Sequence, residues 1–415
     1  MGLLDLPPEI FEHIMHEYVK QVGVPAAWKI RGTCKTFLPY VEYAVFAKPC
    51  MNQYLKSAAA RNILRQNMVE FLFHRSVKSS NNATDLLPRF IREVMGNLQK
   101  ADPAAMQQEQ HIRRTLCEVI VRKHPNTYAC ITNSTKAKEA CSYIDTEYVS
   151  HMLAAAAIIG SVPALQAFAN GDTAAIWQSS KIFGHPLDAA VGANQGHIVQ
   201  LVALQSLRDA RSGQLHDYIY SQQTSFRQAI NTAISGHKSS VVQCLLSTYN
   251  KLFGAVGAFQ FKEWLRVVVG TGNDRVLRVL LRVHHHASVE DMYTGFKYSC
   301  DQDNFQLASV FLDHQLFGID EIVGSTYPLE TAIKSAAPNV VQGLLKAGAS
   351  PDGPPYCHSR VRPLSLALAR REIKFCHMLR RKGASPRLAD MVFDGAVFTW
   401  NNESDAARLV EFRKS

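Results

Sequence analysis

The first residues of the chain carry apolar side chains at the spacing of an amphipathic helix. Ile10, Ile14, Met15 and Tyr18 form one apolar stripe. The proline pair that precedes them suits the first helical turn, and Gly23 suits a helix end. A second helix is predicted from Pro25 to Phe37, and a short third one from residue 40 to residue 46. One face of this second helix would carry Ala27, Ile30, Cys34 and Phe37.

Residues 48–150 form a helical connector with less regular patterning. One long helix is predicted from residue 54 to residue 74, and the polar run 76–82 reads as a loop. Two more amphipathic helices are predicted at 85–98 and 108–123. Together with the repeats described next, these helices give a predicted all-α protein.

Two segments towards the C-terminal end match each other over more than twenty residues. Tyr327-Pro328-Leu329 and Arg362-Pro363-Leu364 share an x-Pro-Leu opening. Nineteen residues after each leucine the chain reads Gly-Ala-Ser-Pro, beginning at Gly348 and at Gly383. A match of this length indicates an internal repeat, and a repeat decides the fold class before any local motif does.

Weaker copies precede these two. Similar openings occur near Leu265 and Phe296, and the earlier segments near Leu153, His185 and Gly236 keep part of the pattern. We count about seven repeats in the predicted repeat region 151–390. The polar stretch 206–223 reads as an inserted loop, residues 183–186 as a tight turn, and residues 391–415 as a C-terminal capping helix.

These repeats resemble the ankyrin repeat, whose pattern is Thr-Pro-Leu-His-x-Ala, then Gly-His, Val-Val-x-Leu-Leu and Gly-Ala. The period of about 33 residues agrees with that family. The resemblance implies an ankyrin-repeat solenoid of about seven degenerate helix pairs. Each pair has one apolar face that only a neighbouring repeat can cover. An exposed concave surface of this kind suits the binding of a protein substrate.

The N-terminal segment resembles the F-box. The residues that carry the resemblance are Leu6-Pro7-Pro8-Glu9-Ile10, then Ile14-Met15, and the stretch from Arg31 to Phe37. The family usually has a Leu-plus-Asp stretch where this chain has 20–24, and Val where it has Thr33. The resemblance implies a three-helix F-box-like module, residues 1–47, that docks on the Skp-type adaptor of a cullin ubiquitin ligase. The residues that would form or support the adaptor-binding face are Leu6, Pro7, Ile10, Ile14, Trp28, Cys34 and Phe37.

An alternative interpretation of the same helices is a plain cap on the repeat array. The chain would then be a binding scaffold with no ligase role. Burial of Leu6, Pro7 and Ile10 against the first repeat would favour the cap. Exposure of that face would favour the adaptor-binding module.

Composition and charge narrow the classes of partner that the protein could bind. The 415 residues carry a net charge of +10, and the stretch 356–415 holds twelve basic and six acidic residues. A basic surface there permits nucleic acid or an acidic protein as a partner, but a solvated helix face that keeps an end repeat soluble is the favoured explanation. We therefore do not expect nucleic acid to be the principal partner. No apolar run approaches the roughly 20 residues of a membrane-spanning helix, so no membrane association is expected.

Recognisable catalytic chemistry is missing from the sequence. No phosphate loop, nucleophile elbow or zinc-type cysteine spacing occurs among its motifs, and the nine cysteines suit a reducing compartment. We expect a cytoplasmic or nuclear protein that is not an enzyme and has no cofactor or metal. The predicted function is substrate recognition for a cullin-type ubiquitin ligase.

Overall fold

The structure is a computed structural model of the chain. It describes residues 6–33, 35–77, 86–133, 135, 139, 144, 146–212, 218–283, 288–355 and 362–385. These residues form 23 α-helices, three short 3-10 helices and two isolated antiparallel bridges. The predicted all-α class is confirmed. The predicted capping helix in 391–415 and the side chain of Cys34 lie outside the described residues.

The chain divides into two compact units, Met1–Thr232 and Ala233–Ser415. In the described part of the chain, nine helices precede the predicted repeats: α1 Pro8–Val22, α2 Val24–Lys29, α3 Phe37–Phe46, α4 Met51–Leu55, α5 Ala58–Gln66, α6 Met68–Val77, α7 Leu86–Ala101, α8 Glu109–Lys123 and α9 Thr127–Thr132. The 3-10 helices are Ile30–Gly32, Ala104–Gln108 and Thr173–Trp177.

Two of the predicted helices are broken in the structure. The predicted helix 25–37 stops at Lys29 and gives way to the 3-10 turn Ile30–Gly32. The predicted helix 54–74 is three helices, because Ser57 caps α5 and Asn67 ends it. The Ser57 hydroxyl accepts a hydrogen bond from the Ala60 amide at 3.1 Å, and the Asn67 side chain donates to the Ile63 carbonyl at 2.8 Å. Apolar spacing continues across these breaks, so periodicity alone could not find them.

Fourteen further helices follow as seven successive pairs: α10 Tyr148–Ile159 and α11 Val162–Ala169; α12 Pro186–Gly192 and α13 Gly196–Arg211; α14 Ile219–Ser235 and α15 Ser239–Phe253; α16 Ala258–Thr271 and α17 Asp274–Val283; α18 Val289–Asp301 and α19 Phe305–Asp313; α20 Pro328–Lys334 and α21 Pro338–Lys346; α22 Pro363–Ala369 and α23 Ile373–Arg381. The predicted loop 206–223 is largely helical, since α13 and α14 extend into it from both sides. Residues 213–217 lie outside the described part, and among the described polar residues Arg208 and Arg211 are exposed whereas Ser206 and Asp209 are buried.

Each pair turns between its helices through one residue with left-handed backbone. The seven residues have φ between 49° and 78° and are Gly160, Asn194, His237, Gly272, Asp303, Ala336 and Arg371. In six of the turns the following amide donates to the carbonyl five residues earlier, as Ala337 does to Ala332 at 3.0 Å. This is the bond of a Schellman motif, which satisfies the last carbonyls of the first helix.

The predicted turn 183–186 is displaced towards the N-terminus, because the observed turn covers residues 181–183 and Pro186 already begins a helix. An antiparallel bridge joins Ser180 to Gly184 just before α12, and a second joins Val323 to Thr326 before α20. Both helices then begin with proline, at Pro186 and Pro328, where the missing amide proton costs nothing.

Packing is sequential within each unit. In the second unit the first helices α16, α18, α20 and α22 pack in that order, and so do the second helices α15, α17, α19, α21 and α23. In the first unit α10 packs against α7, α8 and α12. Every residue of α10 from Ser150 to Ile158 is buried, which explains why this helix is rich in alanine.

Candidate functional site

Helix α1 buries Met15 of the predicted apolar stripe together with Phe11 and Val19. Ile10 is 51% exposed, and Ile14 and Tyr18 are half-buried. Only Met15 of the predicted stripe is therefore fully buried. Positions 11, 15 and 19 have the same four-residue spacing, and a sequence pattern rich in apolar residues does not tell which stripe faces inward.

The N-terminal end of α1 is fixed by its two prolines. Pro7 precedes the helix, its carbonyl accepts from the Ile10 and Phe11 amides, and Pro8 is the first helical residue. Pro7 and Pro8 are exposed and Leu6 is half-buried. Together with Ile10 they form a small apolar surface, which we call the α1 tip (Leu6, Pro7, Pro8 and Ile10).

Phe37 supports α1 from behind. Its ring lies edge-on to Phe11 at 5.3 Å between centroids, and Tyr40 lies edge-on to the same ring at 4.6 Å. These contacts hold α1 against α3. Phe37 is thus a packing residue that fixes the orientation of α1.

Trp28 of α2 packs against the C-terminal end of α3. Its ring lies 5.2 Å from that of Phe46, and the Arg31 guanidinium lies 4.3 Å from the indole centroid. Arg31 also donates to the Trp28 carbonyl at 2.7 Å. This cation–π contact and hydrogen bond anchor the 3-10 turn that follows α2.

The seven residues of the predicted adaptor-binding set therefore fall into two groups. Leu6, Pro7 and Ile10 lie at the α1 tip, with Ile14 one turn further along the helix. Trp28 and Phe37 pack inside the three-helix arrangement, and Cys34 lies outside the described residues. Phe11, which is absent from the predicted set, holds the arrangement together through its two aromatic contacts. Its four-residue spacing to Met15 and Val19 is the sequence signal for this role.

The three N-terminal helices rest on the connector. Helix α2 packs against α5, and α3 packs against α6. The first helix pair of the predicted repeats packs instead against α7 and α8. Connector helices thus supply the neighbours of both groups.

A charged cluster lies where α3, α6 and α8 meet. Ligand atoms of Glu42, Glu70 and His74 lie within 4.8 Å of one another. The Arg114 guanidinium donates to both Glu70 oxygens, one of them at 3.0 Å. Burial, reinforced by the Glu70 charge, raises the pKa of Glu42, and burial lowers the pKa of His74. The three groups have metal-ligand chemistry, but Arg114 already balances Glu70, so the cluster is explained as an ion pair that ties the helices together.

Three buried thiols are poor nucleophiles. Burial raises the pKa of Cys117 and of Cys376 to about 12, and burial also raises the pKa of Cys300. A thiol attacks as its thiolate, so these cysteines act as small apolar core residues. In the described part of the chain, helices long and apolar enough to cross a bilayer do not occur.

Comparisons with known proteins add no family. No protein-family model matches the chain, and no curated protein matches it.

Proposed function

We propose that this chain is the substrate-recognition subunit of a cullin-type ubiquitin ligase. Residues 1–47 act as an F-box-like module that binds a Skp-type adaptor through the α1 tip. Residues 151–390 act as an ankyrin-repeat array that binds a protein substrate. The chain itself contributes binding and no catalytic step, and it works in the cytoplasm or nucleus.

One observation carries the adaptor half of the proposal. The α1 tip exposes Pro7 and Ile10, while Phe11, Met15 and Val19 fill the core beneath α1. The exposed surfaces of Pro7 and Ile10 thus take no part in the packing of the module. The half of the Ile10 surface that stays exposed contributes nothing to folding, and a partner that covers it gains about 25 cal/mol for each Å² buried.

The turn geometry supports the repeat half. Seven helix pairs, each with one left-handed residue in its turn, repeat along residues 148–381. Hydrogen bonds also recur between neighbouring pairs: the Ser350 amide donates to Asp320 at 3.0 Å, and the Ser385 amide donates to Asp352 at 2.8 Å. These bonds join the Gly-Ala-Ser-Pro segment of one repeat to the preceding repeat, which is the nearest-neighbour stabilisation of repeat arrays.

Holding two partners at once is the proposed mechanism. A substrate on the array and an adaptor on residues 1–47 become parts of one assembly. The effective concentration of the substrate near the ligase then rises without any new contact between substrate and adaptor.

The alternative function is a repeat scaffold with no ligase link, in which the N-terminal helices are a cap. The exposure of Pro7 and Ile10 counts against a cap that buries this face. A nucleic-acid-binding role for residues 370–382 is a weaker candidate, and steep loss of binding with salt would be its signature.

Capture of purified Skp-type adaptor by the full chain tests the proposal. We expect wild type to bind and Ile10→Asp to lose at least about tenfold in affinity, because the charge would have to be desolvated at the contact. Val22→Asp is the matched control. Val22 is 40% exposed on the same helix but lies about 120° away around its axis.

Folding of each variant is checked by circular dichroism before binding is measured. Equal capture by wild type and Ile10→Asp would rule out the α1 tip as the adaptor site. Absence of capture by the folded wild-type chain would remove the ligase role and leave the scaffold.

A further inference from the structure

A pocket of about 360 Å³ lies in the first unit, between α11 and α13. Its walls are mostly apolar and include Leu165, Ile176 and Leu201. The volume falls within the range of about 300–1,000 Å³ that is typical of sites for small organic ligands. None of the residues assigned above to adaptor binding contributes to it.

The pocket exists because the helix pairs are spaced differently here. In the second unit the second helices of successive pairs pack directly on one another, from α15 to α23. Between α11 and α12 the chain instead inserts the 3-10 helix Thr173–Trp177, which packs against α10, α11 and α12. Residues of α11, of this 3-10 helix and of α13 then enclose the pocket.

Two buried polar groups line the pocket without full hydrogen bonding. Asp209 is 4% exposed, and its Oδ1 accepts a hydrogen bond from the side-chain Nε2 of Gln205 at 2.7 Å. Its Oδ2 has no hydrogen-bond partner among the described residues. Trp177 is 1% exposed, and within the same described part of the chain its indole N–H has no acceptor. Buried polar atoms are nearly always paired, so two unpaired ones in one pocket need an explanation.

Stability does not explain Asp209. The residue lies in the last turn of α13, which ends at Arg211, and a negative charge at a helix C-terminus opposes the helix dipole. Burial of a carboxylate oxygen without a donor costs free energy as well. Both effects would favour replacement of Asp209 by a neutral residue if folding were its only task.

The charge of the pocket contrasts with that of the chain. Its lining includes two acids, Asp209 inside and the exposed Asp172, and none of its lining residues is basic. The whole chain has a net charge of +10. An acidic, apolar pocket in a basic protein is complementary to a cation that carries an apolar body.

We propose that this pocket binds an organic cation, an ammonium or guanidinium group joined to an apolar body. The cationic nitrogen donates to Asp209 Oδ2, and the apolar body packs against Leu165, Ile176 and Leu201. The Trp177 N–H donates to an acceptor on the ligand. The pocket lies within the proposed repeat region 151–390 and shares no lining residue with the proposed adaptor-binding set.

Calorimetric titration of the full chain with two probes tests this assignment. Benzamidine supplies a free cation on an apolar ring, and benzamide is its neutral match. The peptide acetyl-Ala-Arg-Ala-amide supplies the same group as a protein side chain, with acetyl-Ala-Gln-Ala-amide as the neutral match. Binding of benzamidine alone assigns the site to a free small molecule. Binding of the arginine peptide, with or without benzamidine, assigns it to a basic side chain of a partner.

Three variants locate the interaction. Asp209→Asn should weaken the binding of the cationic probe at least about tenfold, since it removes a charge-assisted hydrogen bond. Trp177→Phe keeps an aromatic ring beside Phe226. It should weaken the binding of the arginine peptide, whose carbonyl oxygens are acceptors, by a smaller factor and leave the binding of benzamidine, which has no acceptor, unchanged. Asp172→Asn makes the same charge change on the exposed rim of the pocket. It should lower the affinity for the cationic probe less than about threefold, and added salt should abolish this loss.

A thermal melt separates ligand binding from a structural role. Asp209→Asn should melt at the same temperature as the wild type or higher, because it removes an unpaired buried charge. Failure of both cationic probes to bind, equal binding of the neutral matches, or unchanged affinity in Asp209→Asn would each overturn the proposal.

Discussion

Gly295 shows how one missing side chain sets the distance between two helices. It lies in α18, where an added Cβ would come within 2.5 Å of ring carbons of Phe311 on α19. Phe311 is fully buried, so its ring has no free space to move into. The contact explains a glycine inside a helix, a position that otherwise costs stability.

Replacement of Gly295 by alanine should therefore destabilise the protein. We expect the free energy of unfolding to fall by roughly 2 kcal/mol, because the extra methyl overpacks a closed core. Gly270→Ala is the control: Gly270 lies in α16 with no atom within 4 Å of the added Cβ, so it should gain up to about 1 kcal/mol of helix propensity. Urea unfolding of both variants measures the difference. A stabilised Gly295→Ala would show that α18 and α19 can separate freely.

At the scale of the element, a buried ion pair joins the connector to the first helix pairs. Lys123 at the end of α8 donates to the Asp188 carboxylate of α12. The Asp188 side chain is 3% exposed, and the Thr232 hydroxyl donates to its other oxygen. Asp188 thus links three segments that are distant in sequence.

Removal of the lysine partner should be costly. In Lys123→Met the Asp188 charge stays buried with one donor fewer, and we expect a loss of about 3 kcal/mol in unfolding free energy. The comparison is Lys181→Met. Lys181 is 62% exposed and pairs with Glu147 at 3.1 Å, an arrangement worth at most about 1 kcal/mol. Chemical denaturation measures the unfolding free energy of both variants. An equal loss of unfolding free energy in the two would mean that Asp188 is solvated in solution.

At the scale of the whole molecule, stability comes from contacts between sequential neighbours within each unit. The packing order of the helices follows the chain order, as it does in repeat proteins. The free energy of unfolding then depends on many local interfaces. Buried titratable groups at different positions along the chain each change it as the pH changes.

Acid should destabilise the protein through its buried histidines. Burial lowers the pKa of His124, and burial also lowers the pKa of His185 despite the neighbouring Asp188 charge. Their pKa in the unfolded chain is about 6.5. Both imidazoles are neutral in the folded state, so stability is complete above that pH. It falls as the pH drops further, because the unfolded chain binds protons first.

Unfolding free energies measured between pH 7.5 and pH 5 check this expectation. Each histidine contributes a slope of at most about 1.4 kcal/mol per pH unit. His185→Asn should flatten the wild-type curve over this range. A variant curve that runs parallel to the wild-type curve would show that His185 does not contribute to the acid sensitivity.

The sequence by itself determined the helical class and the proline starts of α20 and α22. Apolar spacing of about 3.6 residues is a local property, and a proline in the first helical turn is local as well. Such features appear in the sequence because each acts within one helix or one turn.

Tertiary structure alone decided which faces became surface. Phe11 was buried and Ile10 exposed because α3 approaches α1 from one side, and both residues look equally apolar in the sequence. The pocket at Asp209 was hidden for the same reason, since α11, the 3-10 helix and α13 contribute its walls from segments up to about forty residues apart. Burial, charge pairing and cavities depend on residues that are distant in sequence, and no local pattern records them.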